Sequence, residues 1–161
     1  MVPMTPSPAP ATIVPPDELV SAFRVPAQLE SLTFVRCALA MLLERQPQHH
    51  EGAGRLLLAA AEAVSNAIEH GSPEEGGHVE VRVVTGVAGA RLEVVDEGRP
   101  GHPAVIDLEA PTPEPSSTRG RGIVIMRTLA DRVSVEPVGA GTRVAMSFIW
   151  DRAHPMVAVA A

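Results

Sequence analysis

At 161 residues the chain is most simply one domain, long enough to bury a core without disulfide or metal staples. Its formal net charge of -6 disfavours nonspecific attachment to nucleic acid or to an anionic membrane surface, although a local nest of N–H groups still suits a phosphate. The single cysteine, Cys37, excludes a disulfide framework and a thiolate metal cluster, and its apolar helical surroundings place it in the core.

No stretch has the length and apolarity of a membrane span, and no basic segment followed by an apolar run opens the chain. The expected address is therefore the cytoplasm. Prolines crowd Met1–Pro16, so residues 1–17 read as a disordered tail ahead of a domain at 18–150, and 151–161 reads as a loose C-terminal tail.

Taken in order, Ser21–Val25 is a short extended segment, and Pro26 permits a helix soon after it. From Ala27 to Arg45, Leu29, Leu32, Val35, Leu39 and Leu42 recur at steps of three and four, the pattern of an amphipathic helix that Pro47 ends. A second helix is expected over Leu56–Gly71, where a Leu/Ala run has high propensity and Gly71 then Pro73 supply a stop. Glu62, Asn66 and His70 fall at four-residue steps and so share one face, with Leu57, Leu58, Ala61, Val64, Ala67 and Ile68 on the adjoining apolar face. Such a polar row at the edge of a packed helix is either a ligand face or a chance alignment.

Beyond Gly77 the period changes to two. His78–Thr85 and Arg91–Asp96 alternate as strands joined by a hairpin connection at Gly86–Ala90. Asp96 falls on the same side of its strand as Leu92 and Val94, facing the helices, where a buried carboxylate requires a donor. A ligand amino group, a backbone N–H and an arginine all qualify, and Gly98 and Gly101 allow backbone to approach a planar ligand.

Pro103–Arg119 reads as a long irregular loop. Arg119-Gly120-Arg121-Gly122 then leads into a short helix at Ile123–Ala130, an arrangement that serves as an anion site or simply as a loop hinge. Arg132–Glu136 and Thr142–Phe148 are expected as the closing strands, with Gly139 and Gly141 at the turn. Trp150 either caps the core or marks a contact surface. The expected class is α+β, a two-layer sandwich in which helices cover one face of a mixed, largely antiparallel sheet.

Four segments, EAVSNAIEHG, VVDEGRPG, RGRGIVIMRTLAD and GTRVAMSF, stand in the order and spacing of the bacterial anti-sigma factor serine/threonine kinases of the sporulation and stress-response type. Over about Phe23 to Trp150 the chain resembles that family, which shares its histidine kinase-like ATPase (Bergerat) fold with gyrase B, Hsp90 and MutL. The resemblance implies ATP and Mg²⁺ as cofactors, with Asn66 as metal ligand, Glu62 activating the attacking hydroxyl and Asp96 accepting from the adenine amino group. It further implies Gly98 and Gly101 lining the adenine pocket, Thr142 supporting it, and Arg119, Gly120, Arg121 and Gly122 on the phosphate side, with 102–119 as ATP lid.

The implied activity is phosphoryl transfer to a serine or threonine of an anti-anti-sigma (STAS-type) protein. Sequestration of a sigma factor is implied too, usually by a homodimer. One departure stands out: where the family's box runs Asp-x-Gly-x-Gly, Pro100 takes the last place and Gly101 follows it. The alternatives are a noncatalytic sequestering module and the detached catalytic domain of a histidine kinase. The latter lacks the upstream helix pair that would carry a phosphoacceptor histidine.

Overall fold

The computed structural model describes residues 18–44, 50–73, 76–99 and 121–150. In chain order these form β1 (Leu19–Pro26), α1 (Ser31–Leu43), α2 (His50–Asn66) continued by a π-helical turn (Ala67–Gly71), β2 (His78–Thr85) and β3 (Gly89–Asp96). Helix α3 (Arg121–Leu129) and strands β4 (Arg132–Val138) and β5 (Gly141–Ile149) complete the fold. The sheet order is β1-β2-β3-β5-β4, and all four pairings among the described residues are antiparallel, so the largely antiparallel sheet is present.

Period-two patterning decides which sheet face is covered. Val79, Val81 and Val83 of β2, Leu92 and Val94 of β3, and Val144, Met146 and Phe148 of β5 are buried beneath the helices in one core. The opposite face carries charge, with Glu93 between Arg82 (3.8 Å) and Arg91 (3.0 Å), and Glu136 beside Arg143 (3.6 Å). Pro137 is tolerated because β4 is an edge strand.

Helix α1 begins later than expected. Residues 27–30 make a turn, and the Ser31 hydroxyl donates to the Pro26 carbonyl (2.7 Å), tying the helix to the end of β1. Its buried stripe is Ser31, Val35, Leu39 and Leu43, a four-residue repeat. Cys37 lies between two members of that repeat and points outward, so the expectation of a core thiol is overturned: the thiol is exposed. Leu29, expected on the apolar face, is exposed as well.

Helix α2 starts six residues before Leu56, running through Gly52 and Gly54. Gly52 is needed because a Cβ there would overlap the Trp150 ring. The stripe against the sheet is Leu56, Ala59, Ala60, Ala63, Val64 and Ala67, rotated by about one residue from the expected one, which leaves Leu58 exposed. Trp150 caps the core: it is buried, and its indole N–H donates to the Gly86 carbonyl (2.8 Å).

Arg55 on α2 ties two other elements to the helix. Its guanidinium donates to the carbonyls of Leu129 (2.9 Å) at the end of α3 and Ile149 (2.6 Å) at the end of β5, and lies 3.6 Å from the Asp131 carboxylate. Among the described residues no helix is long and apolar enough to cross a membrane. The tails at 1–17 and 151–161 and the loop at 102–119 lie outside the described residues.

Candidate functional site

The site forms around the C-terminal half of α2. Glu62 and Asn66 are half-buried at the edge of that helix, facing α3. A Cβ placed on Gly122 would stand 3.0 Å from Glu62 Oε2, 3.2 Å from Asn66 Nδ2 and 3.4 Å from Asn66 Oδ1. The first turn of α3 therefore lies close against the polar row, and a side chain at 122 would have to displace the ends of Glu62 and Asn66 by a few tenths of an ångström. The fold brings Glu62, Asn66 and Gly122 together.

His70 does not join them. From Ala67 the helix widens into a π turn, a geometry frequent at functional sites, and the four-residue repeat that aligns Glu62 with Asn66 no longer carries through to His70. Its side chain is 71% exposed and lies 3.9 Å from Glu69.

Asp96 sits against Gly71, in the π turn that ends the same helix. It is buried at the end of β3, facing inward as its position in the strand requires, and Oδ1 accepts from the backbone N–H of Gly98 (2.9 Å) and of Thr142 (3.1 Å). Those two bonds give Thr142 and Gly98 their place in the site. Gly98 adopts φ +81, a left-handed conformation that turns the chain back under its own carboxylate. Oδ2 is the atom turned toward Gly71, where any Cβ would overlap the carboxylate. A Cβ at Gly98 or Gly141 would likewise intrude on backbone around Asp96.

Both carboxylates are shifted in the same direction. Burial raises the Asp96 carboxyl above its ordinary 3.8, with the Thr142 and Gly98 N–H groups opposing the rise. Burial also raises Glu62 above its ordinary 4.5, and the Glu69 carboxylate adds to the effect. Ser65 donates to Glu69 (3.0 Å) one helical turn away.

Two residues with a place here are not apparent from the sequence. Gly71 reads as a helix stop, yet it is also the point of contact with Asp96. Arg99 reads only as one residue of VVDEGRPG, between Gly98 and Pro100, yet its guanidinium donates to the Ser72 carbonyl through Nε (3.3 Å) and to the Glu69 carbonyl through Nη2 (3.2 Å). Arg121 opens α3 with an exposed side chain, while Gly101, Arg119 and Gly120 lie outside the described residues. Among the described residues no group of three or more His, Cys, Asp or Glu side chains is placed to hold a metal ion.

The histidine kinase-like ATPase domain model matches residues 25–148. The chain is 34% identical over 133 residues to the serine-protein kinase RsbW of Bacillus subtilis, covering 77% of this chain and 81% of that protein. It is 32% identical over 124 residues to the anti-sigma F factor of Clostridium acetobutylicum, covering 74% and 86%. The crystal structure of the RsbU and RsbW domains of a Mycobacterium tuberculosis protein superposes with a TM-score of 0.56 at 17% identity. That match covers 82% of this chain and 32% of the other, and at such identity it speaks for the fold alone. On the family model and these relatives, the chain belongs to the histidine kinase-like ATPase domain family, among its anti-sigma factor serine-protein kinases.

Proposed function

We propose that the protein is an ATP- and Mg²⁺-dependent protein serine/threonine kinase and anti-sigma factor. It phosphorylates a serine or threonine of an anti-anti-sigma (STAS-type) partner and sequesters a sigma factor. The observation that carries this reading is the convergence of three sequence motifs on one helix: Gly122 against Glu62 and Asn66 in its C-terminal half, and Asp96 against Gly71 in the π turn that ends it. The names of the relatives, a serine-protein kinase and an anti-sigma F factor, support it.

The residues present suit the nucleotide and the ion. With Oδ1 held by two backbone donors, Asp96 Oδ2 is the acceptor for an adenine amino group in this reading, and Gly98 forms a wall beside it. Gly101 extends that wall in the same reading. Asn66 Oδ1 is a hard oxygen donor of the kind Mg²⁺ takes, beside Glu62 Oε2. When bound, Mg²⁺ supplies positive charge to the phosphate oxygens.

The chain's own part in transfer falls to Glu62. Its carboxylate orients the partner's hydroxyl and takes the proton as the oxygen bonds the γ-phosphoryl group and ADP leaves. Burial makes it a stronger base than an ordinary glutamate. The N–H groups that open α3 at Arg121 and Gly122, with Arg119 and Gly120 before them, face the phosphate side.

The same reading assigns 102–119 as ATP lid within an ATPase unit at 18–150 flanked by tails, places the protein in the cytoplasm, and makes it a homodimer. The last is supported by the outer edge of β1, where among the described residues β1 pairs only with β2, and by the apolar side chains exposed there and on α1.

Calorimetry of ATP binding with and without Mg²⁺, followed by transfer to a STAS-type antagonist, tests the proposal. Asn66→Ala is expected to abolish the Mg²⁺ dependence. Glu62→Gln is expected to slow transfer by about 10²–10⁴-fold while leaving ATP affinity within about threefold. A folded wild-type protein that binds no ATP would move the reading to a sequestering module without a nucleotide.

A further inference from the structure

The ladder that fixes β3 in the sheet pairs Asp96 with Val79 on one side and ends at Val95, opposite Arg143, on the other. Just beyond it the chain enters the Gly98 turn. Glu97 there faces solvent, paired with Arg24 and accepting from the His78 N–H (3.2 Å). Arg99 instead reaches inward to the π turn that ends α2, where two of its bonds fall on the carbonyls of Glu69 and Ser72. The last turn of a helix leaves carbonyls without intrahelical partners and carries the negative end of the dipole, so a cation is favoured at that point. A guanidinium also presents its N–H groups as a rigid fork, which holds two acceptors at a fixed separation.

This contact joins the two halves of the site. Asp96 belongs to β3, and Glu62 and Asn66 belong to α2. We propose that Arg99 is a positioning residue that braces the Asp96 turn against the end of α2, setting the separation at which one nucleotide meets both the adenine and the phosphate contacts. The inference rests on the nucleotide reading and deepens it. It also gives a physical role to the segment where this chain departs from the family's glycine box. A ligand with two linked ends gains from the linkage only when both contacts are held at a distance it can span.

The test compares MgATP with its halves, AMP and Mg²⁺-tripolyphosphate, on the full-length wild type, Arg99→Ala and Arg99→Lys, by calorimetry and competition. Arg99→Ala is expected to weaken MgATP about tenfold while shifting each half by less than about threefold, with Arg99→Lys recovering part of the loss. Equal weakening of all three ligands would mean a general structural role and overturn the proposal, as would unchanged MgATP affinity.

Hydrogen exchange without nucleotide provides the independent arm. The amides of Gly98 and Thr142, both donors to Asp96, are expected to exchange about tenfold faster in Arg99→Ala. Unchanged exchange would remove the brace itself. Wild-type protein that binds no MgATP would instead remove the nucleotide reading, and with it the functional half of the proposal.

Discussion

Asp96 is held at a cost to the stability of the free protein. Its carboxyl is raised above the ordinary value, so the folded state keeps this proton to higher pH than the unfolded chain does. The contribution of Asp96 to stability therefore falls as pH rises from the unfolded value through the folded one. Asp96→Asn is expected to show a urea midpoint no lower than wild type near pH 8, with any lead shrinking toward pH 4. Asp96→Ala, which deletes the acceptor, should weaken ATP by roughly five- to over a hundredfold, the loss of about 1–3 kcal/mol from one buried hydrogen-bond partner. Calorimetry on a folded variant checks the second, and urea titration at several pH values the first. Asp96 was legible in the sequence because strand parity alone turns it inward. Cys37 was misread because an apolar neighbourhood in sequence does not give the face, and the four-residue repeat of Val35, Leu39 and Leu43 turns it outward.

At the level of elements, α2 organises the molecule, and the sequence showed the helix but not its end. Propensity and spacing give no sign that the α-helix yields to a π turn after Asn66, because that geometry is selected by what packs there: Gly71 against Asp96, and the Glu69 and Ser72 carbonyls beneath Arg99. The start of α2 was hidden for a similar reason, since Gly52 is a poor helix former retained for the sake of the Trp150 ring. Arg55 shows how firmly this helix is tied to the rest. Its side chain is 7% exposed and that of Asp131 is 4%; Asp131 also accepts from the Ile149 N–H (2.7 Å), so Arg55→Ala would remove a buried cation from beside that carboxylate and the donors from two carbonyls. A destabilisation of about 1–3 kcal/mol is expected, read as a drop in urea midpoint with little change in slope.

For the whole molecule, the proposed homodimer requires an apolar surface that a second copy could cover. Phe34 and Met41 of α1 are 57% and 68% exposed, Leu29 lies just ahead of that helix, and Leu19 and Val20 lie on the edge strand β1. Phe34 stacks edge-on against Phe23 of β1, with ring centres 5.9 Å apart, so helix and strand meet there in an apolar contact. If the homodimer forms there, Leu29→Glu combined with Met41→Glu should sediment as a monomer with the melting temperature of the dilute wild type. A variant that remains dimeric would place the contact elsewhere. The opposite end of the sheet has a different use. The chain has one tryptophan and no tyrosine, so its ultraviolet emission comes from Trp150 alone. That indole is bonded to Gly86 beside the β2–β3 hairpin, while Asp96 stands at the far end of β3, seven residues from Gly89 and thus roughly 23 Å along the strand. Intrinsic fluorescence will therefore report global unfolding and stay silent to nucleotide, which makes the protein its own optical control for telling a variant that has lost its ligand from one that has lost its fold.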